Sequence, residues 1–223
     1  MKPLLNTTLL FLLLVIGFSG VVSGQDEADF YETKRLAERG LAFAQVNLGL
    51  MYDLGVGVPE NKAEAARWYR LAAEQGYASG QYNLGLMYDL GEGVPGNNAE
   101  AVRLYGLAAE QGNALAQANL GLMYRNGEGV LRNDAEAARL YRLAAEQGYA
   151  SGQYNLGSMY DNGRGVPQNN ARAYMWWSLA AAQGNESARG NRDIVADRLA
   201  PDQLARGQDM ATRCFESDYQ DCE

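Results

Sequence analysis

Apolar positions along this chain alternate between two helical patterns. In the first, Ala44, Leu48, Met51 and Tyr52 recur at the spacing that lays an apolar stripe along one side of a helix. Gly55, just past the last periodic residue, is placed to end that helix in left-handed backbone, and Pro59 keeps the helix from resuming at once. The second pattern opens at Asn61, a good N-cap residue, and runs through AEAARWYRLAAEQG to Gly76. Glu64 stands three residues after Asn61, the capping-box spacing. Together the two patterns predict a helical hairpin.

The hairpin recurs. NLGLMYDLGVGVP at residues 47–59 returns as NLGLMYDLGEGVP, NLGLMYRNGEGVL and NLGSMYDNGRGVP, with 36 residues between successive copies. Residues 44–79 and 80–115 agree at 26 of 36 positions without a gap, which excludes chance likeness. The caps recur as Asn97, Asn133 and Asn169, and the closing glycines as Gly112, Gly148 and Gly184. The capping glutamate returns as Glu100 and Glu136, but Arg172 replaces it in the fourth unit. Gly49, Gly85, Gly121 and Gly157 sit inside the first helix, where glycine costs roughly 1 kcal/mol relative to alanine, so each predicts close approach by a neighbour. A hairpin with one apolar face buries it only against other hairpins, so stability accumulates along the array.

The units resemble the Sel-1-like repeat, a relative of the tetratricopeptide repeat. The signature A-x-x-x-L-G-x-x-Y-x-x-G-x-G-V is present as Ala44, Leu48, Gly49, Tyr52, Gly55, Gly57 and Val58, and the second-helix portion runs from Glu64 to Gly76. The fourth unit departs from the pattern at Arg172 and at Trp177, which replaces a tyrosine. The resemblance implies an all-α, right-handed superhelical solenoid of four helix-turn-helix repeats, at residues 44–79, 80–115, 116–151 and 152–185. FYETKRLAERG near the start resembles a lone second helix, which predicts an N-terminal cap over 25–43. At the other end Ile194, Val195, Leu199, Leu204 and Met210 are spaced as two helices broken at Pro201, predicting capping helices and a tail over 186–223.

Residues 1–24 combine Lys2, an apolar run at 9–18 and the small residues Ser23 and Gly24, the order of a secretory signal peptide. The run is too short to favour a membrane span. The expectation is therefore an exported chain, periplasmic or secreted, with an uncleaved N-terminal anchor as the alternative. With Lys2 removed, 18 basic and 27 acidic residues leave a net charge of −9, which argues against nucleic acid as a partner. Cys214 and Cys222 are the only cysteines, and an even pair in an oxidising compartment predicts one disulfide, with two free thiols on a frayed end as the alternative.

Signals for chemistry are few. The chain has no histidine, the commonest general base and neutral metal ligand. Neither Ser-x-x-Lys nor G-x-S-x-G occurs, so the usual serine nucleophile contexts are missing. The G-x-G pairs, such as Gly55 with Gly57, lack the preceding strand of a dinucleotide fingerprint and read as turns. No acidic run alternates as in a calcium loop. The expectation is no enzyme, no cofactor and no metal. A cell-wall or penicillin-acting hydrolase is the alternative by family analogy, and a secreted effector binding host proteins is a third reading.

Function then rests on surface. Positions 46, 50 and 53 lie roughly opposite Ala44, Leu48 and Met51 at about 100 degrees per residue. Their contents vary: Val46, Leu50 and Asp53; Tyr82, Leu86 and Asp89; Ala118, Leu122 and Arg125; Tyr154, Ser158 and Asp161. In tetratricopeptide-like arrays the first helices line the concave side, so the resemblance implies a groove that receives a protein or peptide. The aspartates favour a partner with a basic stretch, and for Leu50 and Leu86 the alternative is packing against the next unit. Asn47, Asn83, Asn119 and Asn155 form an invariant row. The resemblance offers them a grip on a ligand backbone; the alternative is pairing with backbone groups between units.

Overall fold

The computed structural model describes residues 24–222, so the signal-peptide expectation for residues 1–24 lies outside it but for Gly24. Four hairpins follow one another: α2 (Ala42–Leu54) with α3 (Lys62–Glu74), α4 (Ala78–Leu90) with α5 (Asn98–Glu110), α6 (Ala114–Asn126) with α7 (Asp134–Ala145), and α8 (Ala150–Asn162) with α9 (Asn170–Ala182). Before them runs α1 (Gly24–Glu38), and after them α10 (Glu186–Ala196) and α11 (Pro201–Glu216). The described residues contain no strand. The molecule is a helical solenoid closed by helices at both ends.

Each first helix stops at its predicted glycine. Gly55, Gly91, Gly127 and Gly163 have φ between 65° and 78°, and each returns its N–H to the last turn. The second helices are capped by Asn61, Asn97, Asn133 and Asn169, whose side-chain oxygens accept the N–H three residues on at 3.0–3.2 Å. The reciprocal half of the box is not made. Asn61 N–H instead donates to the Tyr52 carbonyl at 2.8 Å, and Asn97, Asn133 and Asn169 donate likewise to Tyr88, Tyr124 and Tyr160. With its partner gone, the carboxylate of Glu64, Glu100 or Glu136 pairs with Arg67, Arg103 or Arg139 along the helix. The cap therefore also pins the second helix to the first.

The interior glycines admit an aromatic ring. A Cβ added at Gly49 would lie 2.5 Å from Tyr69 Cε1, and Gly85, Gly121 and Gly157 face Tyr105, Tyr141 and Trp177 in the same way. These rings are buried to 3 % exposure or less. Trp177 keeps the place of the tyrosine and donates its indole N–H to the Tyr154 carbonyl at 3.1 Å, so the fourth hairpin packs as the others do.

Between hairpins the main tie is one that the apolar pattern hides. Gln45, Gln81, Gln117 and Gln153 are buried on the first helices. Each accepts, at 2.7–2.9 Å, from the glutamine closing its own second helix, namely Gln75, Gln111, Gln147 and Gln183. Gln45, Gln117 and Gln153 in turn donate to the carbonyls of Ala37, Ala109 and Ala145 on the preceding helix, at 3.2–3.3 Å. One buried amide thus joins three consecutive helices, and an amide left unpaired there would cost about 1–3 kcal/mol.

At the N-terminal end Phe30 and Ala37 of α1 are buried with Ala44, Leu48 and Trp68. At the C-terminal end α10 and α11 both pack on α9, with Pro201 opening α11. Val195 is fully buried, but Ile194, expected on the same apolar side, is exposed. Adjacent helical positions are about 100 degrees apart, and only one of the two can face α9. Cys214 and Cys222 form a disulfide, and the loop it closes lays the Tyr219 ring against Gly148 at the end of α7.

Candidate functional site

The face to be tested is the row of first helices. α2 touches α4 and α6 touches α8, so alternate elements approach one another on this side of the stack. Along α2 the residues turned outward are Phe43, Asn47, Leu50 and Leu54, at spacings of four, three and four, which confines them to a narrow arc. Leu50 is 37 % exposed and Leu54 66 %. The equivalents on α4 are Ser79, Asn83, Leu86 and Leu90, and on α6 Leu115, Asn119, Leu122 and Asn126. On α8 they are Ser151, Asn155, Ser158 and Asn162. The arc therefore grades from apolar on α2 to wholly polar on α8.

Position 46 does not belong to that arc. Val46 and Ala118 are buried, and Tyr82 and Tyr154 are half-buried against core residues. An angle measured from Ala44 and Leu48 alone overlooks the neighbouring first helix, which covers this flank. Leu86 is likewise part of the packing around Tyr105 and Leu120. Leu50 and Leu122 remain accessible. Phe43, Leu54 and Leu90 were missed by reading positions 46, 50 and 53; the four-three-four spacing through the asparagine row was the available signal.

Most polar members are occupied by partners within the chain. Asp53 pairs with Lys62 at 2.8 Å and Asp161 with Arg198 at 2.8 Å, which leaves two of the three aspartates compensated. Asp89 accepts from the Tyr105 hydroxyl at 3.3 Å, and burial pushes its carboxyl above the usual range. Asn119 donates to Tyr105 at 3.3 Å, and burial raises the pKa of the neighbouring Tyr82 hydroxyl. Arg125 donates to Asn155 at 3.0 Å, and Asn155 to the Ser151 carbonyl one turn back. Ser158 returns its hydroxyl to the Tyr154 carbonyl. Asn47 is exposed and Asn83 half-buried, so the asparagine row, alike in sequence, is unlike in its bonds.

No group of histidine, cysteine, aspartate or glutamate among the described residues is arranged to hold a metal. No helix among them is long and apolar enough to cross a membrane.

Stacked hairpins that share buried ties, with a graded face on one row of helices, define a helical-repeat solenoid. The family model described as Sel1 repeat matches residues 42–77, 78–113, 114–149 and 150–185. The chain belongs to the Sel1 repeat family, whose repeats mediate protein–protein interaction. Among solved structures it is similar to a protective antigen present in uropathogenic Escherichia coli strains and displaying an SLR fold. The identity is 40 %, the TM-score 0.70, and the match covers 80 % of this chain and 40 % of that one. It is also similar to a Sel1 repeat protein from Oxalobacter formigenes, at 38 % identity and TM-score 0.68, covering 74 % of this chain and 48 % of the other. The chain thus spans less than half the length of either relative. A search of curated proteins found no match.

Proposed function

We propose that this protein is an exported scaffold that holds a partner protein along its first-helix row, seating an apolar segment of the partner on the α2 and α4 end. The observation that carries the reading is the open apolar arc of Phe43, Leu50, Leu54 and Leu90, beside a polar end whose side chains already bond one another. Exposed leucines and aromatics on a rigid, preformed surface supply contact area at small ordering cost. With Asp53 and Asp161 compensated internally, a basic stretch in the partner is a lesser contributor than the apolar contact. The order of charged, apolar and small residues over 1–24 and the Cys214–Cys222 disulfide support export.

A photo-crosslinking residue placed at Asn47, and separately at Arg67 among the second helices, tests the seat in cells. The expected product forms from Asn47 and disappears when Leu50→Glu and Leu54→Glu are combined, while the helical circular-dichroism signal holds. The same product from Arg67, undiminished by the double substitution, would remove the claim. No turnover accompanies this role, and a chromogenic lactam assay on the purified protein checks that against the hydrolase alternative.

A further inference from the structure

The second-helix side carries a repeating contact with one member left out. Arg70 of α3 donates to the hydroxyl of Tyr88, 18 residues on, at 3.1 Å, and Arg142 of α7 donates to Tyr160 at 2.9 Å. The equivalent pair in the middle of the array is Gly106 and Tyr124. Glycine offers no donor, and a Cβ added at Gly106 meets nothing within 4 Å. In place of the arginine there is a cleft of about 430 Å³ between α5 and α7, floored by Leu120 and Tyr124 and walled by Val102, Leu140 and Leu143. That is within the size of small-ligand pockets, roughly 300–1,000 Å³.

The surroundings of Arg70 recur at the cleft, whereas Arg142 sits beside Arg172, which donates to the same Tyr160 hydroxyl at 3.0 Å. Beside Arg70 stands Glu100, whose carboxyl is held below the usual range by its bond from Arg103, with the Arg70 charge adding to the effect. At the empty position Glu136 takes the place of Glu100, and Glu110 also lines the cleft. Arg139 engages both oxygens of Glu136, at 2.6 and 2.9 Å. Arg103 does the same to Glu100, at 2.6 and 2.9 Å, and Arg70 is accommodated all the same. The local cation is therefore part of the socket and does not fill it.

We infer that this cleft is a binding site for an arginine side chain presented by a partner protein, whose guanidinium takes the position that Arg70 and Arg142 take in the neighbouring units. Its planar fork reaches the Tyr124 hydroxyl, its aliphatic stem lies on Val102, Leu140 and Leu143, and the glutamates supply complementary charge. The site is separate from the first-helix row and stands whether or not that row binds a partner.

An NMR titration of the full chain with the blocked tripeptide acetyl-Ala-Arg-Ala-amide tests it. Saturable shifts are expected at Gly106, Gln117, Tyr124 and Leu143, with the neutral citrulline counterpart binding about tenfold or more weakly. Free arginine brings a carboxylate toward Glu110 and Glu136, so it should bind less well than the blocked peptide. Gly106→Arg, which restores what two other units carry, should abolish binding, and Tyr124→Phe should weaken it several-fold without disturbing the fold. Leu50→Glu should leave it unchanged. Absence of a saturable shift overturns the assignment, as does equal binding of the citrulline peptide. So does undiminished binding to Gly106→Arg, or a crystal structure of that variant with the new guanidinium turned away from Tyr124.

Discussion

Glycine at two helical positions answers to opposite physics. At Gly49 an added Cβ would meet the ring of Tyr69 at 2.5 Å, and that ring is 1 % exposed, with no room to retreat. At Gly106 there is open space. The same substitution therefore has opposite signs. Gly106→Ala should stabilise the protein by about 0.5–1 kcal/mol through helix propensity. Gly49→Ala should destabilise it, because overpacking costs about 1–3 kcal/mol against a propensity gain of about 1. Urea denaturation of both variants checks the pair; equal shifts in one direction would show that ring contact does not set the glycine requirement. The demand for a small residue at 49 was legible from its recurrence in every unit. What it admits was not, since an intruding ring and an intruding helix backbone call for the same glycine.

At the scale of elements, two adjacent pairs of hairpins are tied by an ion pair through the first residue of a second helix, that of α3 and that of α7. Lys62 reaches Glu92 of the next turn at 3.4 Å, and 72 residues later the signs are exchanged, with Asp134 bound by Arg164 at 2.9 Å. The turn lies close there because Gly93 and Gly165 each present bare backbone to the preceding helix start, at Lys62 and Asp134. Bonds from Arg132 and Arg164 hold the Asp134 carboxyl well below the usual range. A depressed folded-state pKa contributes stability that is complete above the unfolded value of about 3.9 and is lost as pH falls through the folded one. Asp134→Asn should accordingly lower Tm at pH 7, by the equivalent of about 0.5–1 kcal/mol for a surface pair, with the gap from the parent closing on acidification. A gap that fails to narrow as pH falls from 4 to 2 would place the effect elsewhere. The G-x-G pairs were legible as turns; their pressing against the previous unit was not, because a lone pair of glycines states only that a side chain is unwelcome. The asparagine caps were legible, whereas the glutamates were not, because the N–H they were expected to satisfy goes to a tyrosine carbonyl on another helix.

For the molecule as a whole, the period gave the architecture directly, since a hairpin copied four times must meet copies of its own neighbours. The binding face came through less well. Val46 and Tyr82 hold the same place in their units, yet one is buried and the other half-buried, because their surroundings differ with the residues of the flanking helices. The C-terminal disulfide is local, closing an eight-residue separation that returns Tyr219 to Gly148. By the loop-entropy model it contributes roughly 2–3 kcal/mol to that tail. Reduction should therefore release amide protection over 214–222 and the last turn of α11 while α2 to α8 keep theirs in hydrogen exchange. Uniform loss would mean that the tail governs the entire array.

The buried glutamine rungs limit how such a chain can change length. Each rung joins residues 30 apart within a hairpin, and those at Gln45, Gln117 and Gln153 also join residues 8 apart across the boundary before it. A few residues inserted between those partners put a helix out of phase with its amide on one side or the other. Duplication or loss of a complete hairpin leaves every amide matched. Size in this protein is thus quantised, and the rod grows or shrinks in steps of one whole block.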